Sequence, residues 1–341
     1  MKRIATFPLA LLSAAADKIV PPIGIVLGSP MQAAALVERL SATACFQLDL
    51  YQADRLRDEL ERSNTPARVE VAPDLWDLSA EFQTLVYPAP PGGERALKID
   101  MVEQAYHTLR PGGRLVVLSP YPNDPFFPDL LKKSFGRAHI PPDCAGQIIW
   151  AQRGEDRPRR RHEVSFHASV NGDGPLVFVS RPGVFSCGKF DLGARALLET
   201  AEIEEGNRIL DLGCGNGTNG VFAGRRSKAP VTFLDSNRRA VALAELNARH
   251  NDVKDFQAIT AWNLSRLPPQ SFDLVLANPP YYAQNAIARQ FIEQARPLLR
   301  PDGRFHLVTK QPEALAEIMV ELFDDVEGAE HRGYTVLMAT L

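Results

Sequence analysis

An α/β fold of two tandem halves, each a mostly parallel sheet with helices on both faces, is predicted by three features of this 341-residue chain. Apolar stretches of strand length alternate with longer amphipathic stretches, the rhythm of βαβ units. Blocks of that rhythm recur in the same order, as with Phe82 and Phe272, 190 positions apart. That period is far longer than a solenoid repeat and close to a domain length, so it points to duplication. Between the two sets lies Arg153-Gly154-Glu155-Asp156-Arg157-Pro158-Arg159-Arg160-Arg161, whose proline and like charges make a poor helix or strand. The expected organisation is residues 1–152, a basic linker 153–162, and 163–341.

In chain order, Lys2 and Arg3 precede an apolar run over 4–16 that ends Ser13-Ala14-Ala15-Ala16, which resembles a signal peptide. A first amphipathic helix is the preferred reading, because Ala10-Leu11-Leu12 precedes a strand over 23–27 as Ala196-Leu197-Leu198 precedes one over 208–212. No run reaches the roughly 18 apolar residues needed to span a membrane. Phe46-Gln47-Leu48-Asp49 before one charged helix parallels Thr232-Phe233-Leu234-Asp235 before another. Phe82-Gln83-Thr84-Leu85-Val86-Tyr87-Pro88-Ala89-Pro90 parallels Phe272-Asp273-Leu274-Val275-Leu276-Ala277-Asn278-Pro279-Pro280. A helix follows in each (96–109; 286–299), then Leu109-Arg110-Pro111-Gly112-Gly113-Arg114 or Leu299-Arg300-Pro301-Asp302-Gly303-Arg304, then a strand (115–119; 305–309). At the start of the second half, stretches 163–170 and 175–179 flank Asn171-Gly172-Asp173-Gly174 and read as a β-hairpin.

A hydrophobic share of 45% and a charged share of 23% describe a soluble globular protein. The net charge of −3 excludes a uniformly positive body. Nucleic-acid contact therefore has to come from local patches, for which Arg157, Arg159, Arg160, Arg161, Lys132, Lys133, Arg225 and Arg226 are the candidates. Cys45, Cys144, Cys187 and Cys214 show no CxxC spacing. Reduced thiols in a cytoplasm are expected, with no zinc site and no disulfide framework.

The cofactor signal is Ile209-Leu210-Asp211-Leu212-Gly213-Cys214-Gly215-Asn216-Gly217-Thr218-Asn219-Gly220, a strand running into a glycine-rich turn and a helix. Glycines permit unusual backbone angles and let a ligand lie against the main chain. The spacing also fits a dinucleotide fingerprint, but Asp211 at the strand end would repel a pyrophosphate and attract the ammonium group of a methionine moiety. Asp235, twenty-four residues further on, ends the next strand, where a carboxylate accepts from both ribose hydroxyls of either cofactor class. Asp235 and Ser236 are assigned to the ribose, and Asn263 and Leu264 to the adenine.

Asn278-Pro279-Pro280-Tyr281 follows the apolar strand 274–277. A ring amine such as guanine N2 is a poor nucleophile because its lone pair is conjugated. The Asn278 side-chain oxygen and the Pro279 carbonyl, accepting its hydrogens, favour a pyramidal nitrogen whose lone pair points at a sulfonium methyl. Successive prolines hold the backbone in place, and Tyr281 is placed to stack on a flipped-out base. The first half has Tyr87-Pro88-Ala89-Pro90 and a glycine turn reduced to Leu27-Gly28-Ser29-Pro30, so it lacks this chemistry.

With these motifs, and with Arg181-Pro182-Gly183-Val184-Phe185-Ser186 followed by Asp191-Leu192-Gly193 and Leu197-Leu198, the chain resembles the RsmC/RlmG family of ribosomal RNA guanine-N2 methyltransferases over essentially its full length. The resemblance implies two tandem Rossmann-like class I methyltransferase domains, the first a degenerate copy serving folding and RNA binding. It implies S-adenosyl-L-methionine as donor, contacted by Asp211, Gly213, Gly215, Asp235 and Asn263; Cys214, Gly217, Ser236, Leu264 and Asn278 are further candidate donor contacts. Base handling falls to Asn278, Pro279, Pro280 and Tyr281, with Phe185 and Tyr282 as further substrate contacts. The partner expected is ribosomal RNA or a ribosomal subunit, most plainly the small one, with no metal and no membrane, for a cytoplasmic monomer. Members commonly read Asn-Pro-Pro-Phe followed by His, where this chain has Tyr281 and Tyr282, and the usual acidic residue before Asp-x-Gly is replaced around Gly188-Lys189-Phe190. Protein glutamine methylation, adenine-N6 methylation and a non-catalytic RNA-binding or assembly role are the competing readings.

Overall fold

The computed structural model describes residues 7–78, 81–280 and 286–341. It divides into two compact units, Met1–His162 and Glu163–Leu341. In the first, a 3-10 helix at Leu9–Lys18 precedes β1 (Ile23–Val26), α1 (Pro30–Leu40), β2 (Ala44–Gln47), α2 (Leu50–Arg62) and β3 (Arg68–Val71). Then come β4 (Phe82–Pro88), α3 (Arg95–Thr108), β5 (Leu109–Leu118), α4 (Phe126–Phe135) and β6 (Ile148–Gln152). The sheet order is β3-β2-β1-β4-β5-β6, parallel except for β6. All four residues of β1 and of β2 are buried, as expected of parallel strands covered on both faces.

The second unit opens with β7 (Val164–Val170) and β8 (Asp173–Ser180), then α5 (Leu192–Thr200), β9 (Ile209–Leu212), α6 (Thr218–Ser227), β10 (Val231–Asp235), α7 (Arg238–His250) and β11 (Phe256–Thr260). It continues through β12 (Phe272–Ala277), α8 (Ala286–Ala295), β13 (Leu299–Thr309), α9 (Pro312–Leu322), β14 (Asp325–His331) and β15 (Tyr334–Thr340). The seven-stranded sheet runs β11-β10-β9-β12-β13-β15-β14. Its first five strands are parallel and the last two antiparallel. The α/β class and the mostly parallel sheets are thus those expected.

Boundaries depart from expectation where a proline or glycine intervenes. The helix expected over 286–299 ends at Ala295, and Arg296–Leu298 tightens into a 3-10 turn because Pro297 has no N–H for the α-helical ladder. Strand β5 begins at Leu109, well before the expected 115, since Phe82 pairs with Leu109 and Thr84 with Arg114. The intervening Pro-Gly-Gly is absorbed as an irregularity with Gly112 at φ 75°. The parallel drawn between Asp49 and Asp235 shifts by two residues. Val26 lies opposite Phe46 as Leu212 lies opposite Leu234, so Gln47 stands level with Asp235. Asp49 instead caps α2, accepting from Gln52 N–H at 2.9 Å.

Strands β7 and β8 form the expected hairpin. Asn171 (φ 51°) and Gly172 (φ 89°) both take the positive φ of a type I′ turn. The hairpin is a separate two-stranded sheet, and amide side chains on α7 pair with one edge of it. Asn247 accepts from Val179 N–H and donates to Val179 C=O, both at 2.8 Å. One turn later Asn251 repeats this with Val177 at 3.2 and 2.9 Å. Two asparagines at i and i+4 thus act as a substitute strand, satisfying backbone groups that would otherwise be left open. Asn247→Ala is expected to lower stability by about 3 kcal/mol, since three hydrogen bonds involving a buried amide are lost. Chemical-denaturation midpoints check this, with an effect under 1 kcal/mol contradicting it.

Candidate active site

Strand β9 pairs with β10 on one side and β12 on the other, and Leu212 lies opposite both Leu234 and Ala277. The next residues along, Gly213, Asp235 and Asn278, therefore emerge together at the carboxyl edge. At this point the strand order reverses direction, which in doubly wound sheets opens a ligand crevice. The register thus unites three motifs far apart in sequence.

The turn between β9 and α6 is held by backbone and carboxylate. Gly213 and Cys214 N–H both donate to Leu234 C=O at 2.8 and 2.9 Å. Gly215 N–H donates to Asp235 Oδ2 at 2.9 Å, and Asn237 N–H to Asp235 Oδ1 at 2.8 Å. Asn247 Nδ2 also donates to Asn216 C=O at 2.8 Å. Gly213, Gly215 and Gly217 all have positive φ, at 71°, 55° and 83°. A Cβ on Gly217 would lie 2.8 Å from Ala244 Cα, whereas one on Gly215 would meet nothing within 4 Å among the described residues. The turn is packed on one side and open at Gly215. Gly220 is required by crowding, because a Cβ there would come within 2.4 Å of the Phe233 ring.

Asp211 is 1% exposed. Its Oδ2 accepts from Gly220 N–H at 2.8 Å, while Oδ1 is buried with no hydrogen-bond partner among the described residues. Burial is the largest influence on its carboxyl, pushing the pKa up to about 8; the Gly220 N–H opposes this and the nearby Asp235 charge adds to it. Burial likewise raises the Cys214 thiol well above its ordinary value, with both carboxylates reinforcing it.

At the end of β12, Asn278 is half-buried and Pro279 buried. Asn278 Nδ2 donates to Asp191 Oδ2 at 2.9 Å. The same oxygen accepts from Ala194 N–H at 2.8 Å and so caps α5. Asp191 gives no local sign of this role, because its contact with Asn278 spans 87 positions. The lead-in segment is anchored by fully buried Arg239, which donates to Pro182 C=O at 2.6 Å, and by Asn237, which donates to Gly183 C=O at 2.8 Å. Phe185 and Leu192 follow, each 55% exposed.

Other expected residues fall as follows. Asn263 is exposed and its Oδ1 accepts from Ser265 N–H at 2.9 Å in a local turn, while buried Leu264 donates its N–H to Gln294. Ser236 directly follows β10. Tyr281 and Tyr282 lie outside the described residues. Three linker arginines engage the first unit: Arg157 pairs with Glu103 at 2.6 Å and lies over Tyr106, Arg159 lies over Trp76, and Arg161 reaches Asp74 at 3.7 Å. Arg226 staples the hairpin through Asp173 and Val170 C=O, and Arg225 bonds Asn251 C=O. Arg160, Lys132 and Lys133 are exposed. A groove lined by Glu245, Arg249 and Lys254 lies beside Phe256, at the opposite edge of the sheet.

The donor set at the carboxyl edge fits an adenosyl amino acid. The orphaned Asp211 oxygen suits a buried ammonium, Asp235 suits paired hydroxyls, and the open face of Gly215 leaves room for the ligand between them.

Comparison with known proteins agrees with this geometry. Residues 175–338 match the methyltransferase small domain family. The chain is 38% identical over 133 residues to the ribosomal RNA large subunit methyltransferase G of Shewanella denitrificans, covering 37% of this chain and 35% of that protein. It is 32% identical over 174 residues to the ribosomal RNA small subunit methyltransferase C of Pseudomonas entomophila, covering 49% and 52%. The chain therefore spans between about a third and a half of these curated relatives. In fold it is similar to the T. thermophilus 16S rRNA N2 G1207 methyltransferase (RsmC), solved with AdoMet and guanosine, with a TM-score of 0.75 at 22% identity over 99% of this chain and 93% of that one.

The Asp211 carboxyl makes a prediction for the ligand-free protein. Its unfolded value is 3.8 and its folded value about 8. Between them the folded state holds one more proton, so stability falls as pH rises through that window. Asp211→Asn is expected to flatten the decline between pH 5 and 8. Denaturation midpoints across that range check it, and an unchanged slope contradicts it.

Proposed function

We propose that this chain is a member of the RsmC/RlmG family of class I S-adenosylmethionine-dependent methyltransferases, and that the second unit methylates the exocyclic N2 amine of a guanine in ribosomal RNA, most plainly of the small subunit. The observation that carries this reading is the emergence of Asn278-Pro279-Pro280 level with the glycine turn, with the Asn278 amide turned so that Nδ2 faces Asp191 and Oδ1 is its acceptor end. Bound S-adenosylmethionine supplies an electrophilic methyl on a sulfonium. Asp211, Gly213, Cys214, Gly215 and Gly217 hold its amino acid portion, Asp235 and Ser236 the ribose, and Leu264 with Asn263 the adenine end. Asn278 Oδ1 and the Pro279 carbonyl accept the amine hydrogens and turn the nitrogen's lone pair out of conjugation. Phe185 offers an exposed ring for the base, with Tyr281 and Tyr282 assigned the same task.

The first unit is read as a degenerate copy that assists folding and RNA binding in a cytoplasmic monomer. Support comes from its shared order of five parallel strands and from the fate of its own turn. Leu27–Ser29 is two residues shorter than Gly213–Gly217. Ser29 caps α1 there, and a Cβ on Gly28 would lie 2.7 Å from the Pro88 ring. Gln47 stands where the second unit has Asp235 and donates to Gly28 C=O at 3.2 Å. Arg160, Lys132 and Lys133 are the basic side chains retained for RNA.

Incubation with labelled donor and either ribosomal particles or naked RNA, followed by digestion to nucleosides, is expected to place label on N2-methylguanosine. Label on adenine N6, or on protein after ribonuclease treatment, overturns the reading. Asn278→Ala should lose about 10²-fold in turnover with donor affinity within about 3-fold. Because the Asp211 carboxyl holds its proton up to about pH 8, donor binding at pH 7 should release close to one proton. Calorimetry in buffers of different ionisation enthalpy measures this, and Asp211→Asn should abolish it.

A further inference from the structure

We infer that Asp191 is a positioning residue for methyl transfer, fixing the amide of Asn278 so that its carbonyl oxygen faces the acceptor amine. The inference rests on the role given to Asn278 above and extends it to a residue on another element. An asparagine amide is nearly symmetric in shape, and a half-turn about its last torsion exchanges acceptor for donor. In the wrong orientation Asn278 would present N–H groups to an amine that also carries N–H groups, and would repel it. Asp191 removes that ambiguity: a carboxylate accepts only, so Nδ2 is the end that turns to it, at 2.9 Å. The charge also polarises the amide, because a donated N–H raises electron density on the carbonyl oxygen. That oxygen is then a stronger acceptor as positive charge grows on the attacking nitrogen.

Asp191 is itself held firmly. The oxygen facing Asn278 also accepts from Ala194 N–H at 2.8 Å, placing the carboxylate at the first turn of α5. Gly193 and Ala194 behind it are buried, so the carboxylate sits on a packed helix end. The helix amides favour a negative charge at this position.

The test uses the full chain and two variants that keep a capping side chain. Asp191→Ser can cap α5 but is too short to reach Asn278 as well, whereas Asp191→Asn retains an oxygen at the same reach. Asp191→Ser is expected to lower kcat by about 10²-fold, close to Asn278→Ala, with KM for RNA and the affinity for S-adenosylhomocysteine each within about 3-fold. Asp191→Asn should recover to within about 10-fold of the parent. Adding Asp191→Ser to Asn278→Ala should cost less than about 2-fold more, because the two act through one amide. Equal losses in both backgrounds overturn the inference. A second arm needs no turnover: in protein labelled with 15N-asparagine, the Asn278 side-chain signal, assigned by its loss in Asn278→Ala, should move in Asp191→Ser. An unmoved signal overturns the inference whatever the acceptor proves to be. Absence of label on guanine N2 in the parent protein would instead count against the proposed function, leaving this second arm to decide the role of Asp191.

Discussion

Gly213, Cys214, Gly215 and Gly220 each give a backbone N–H to the ends of β9 and β10: two to Leu234 C=O, one to Asp235 and one to Asp211. The rest of the carboxyl edge depends on this clamp. A glycine-rich segment has much conformational freedom to lose, and these four donations, one of them to a wholly buried carboxylate, hold it in a single course. Asn247 carries the restraint outward. Its amide bonds Asn216 in the turn and Val179 in the hairpin, so the two regions share one side chain of α7. The lead-in segment is drawn to the start of the same helix by Arg239 and Asn237.

The clamp carries an energetic cost. Asp211 keeps an oxygen out of water with no partner among the described residues, and it lies close enough to Asp235 for that charge to oppose its ionisation. Buried acceptors without donors are rare in folded proteins because of their desolvation penalty. Such penalties gather where a ligand completes the bonding. A cation arriving at Asp211 would supply the missing hydrogen bond and favour the ionised carboxylate. The cost of burying this carboxyl and its attraction for an ammonium group therefore share one physical cause.

Much of this was legible in the sequence, for reasons visible in particular residues. Buried parallel strands read as unbroken apolar runs, so β9, β10 and β12 and the residues at their ends could be placed without coordinates. The hairpin announced itself through Asn171-Gly172. The apolar period continues across 286–299, but Pro297 ends helix α8 at Ala295. Asp49 was misaligned because an acid after a strand looks alike whether it caps a helix or faces a ligand, and the two-residue difference in turn length shifts one onto the other. The linker arginines looked like a free basic patch, yet their partners Glu103, Tyr106, Trp76 and Asp74 lie in earlier, separate segments. Asp191 stands in the motif that carries the family resemblance, but its contact with Asn278 had no local sign, since it spans 87 positions. A cap and a distant contact use the same carboxylate, and only the cap leaves a local trace.

The Pro88 ring against Gly28 bears on how the first unit can change. Three features separate its edge from the one at Gly215: a turn two residues shorter, the Pro88 ring beside Gly28, and Gln47 in place of an acid. Removing the ring alone would leave a small void beside a serine-capped helix, with no carboxylate to attract anything into it. Exchanging any one of these features alone leaves the others in place. The closed edge of this unit thus rests on several residues at once.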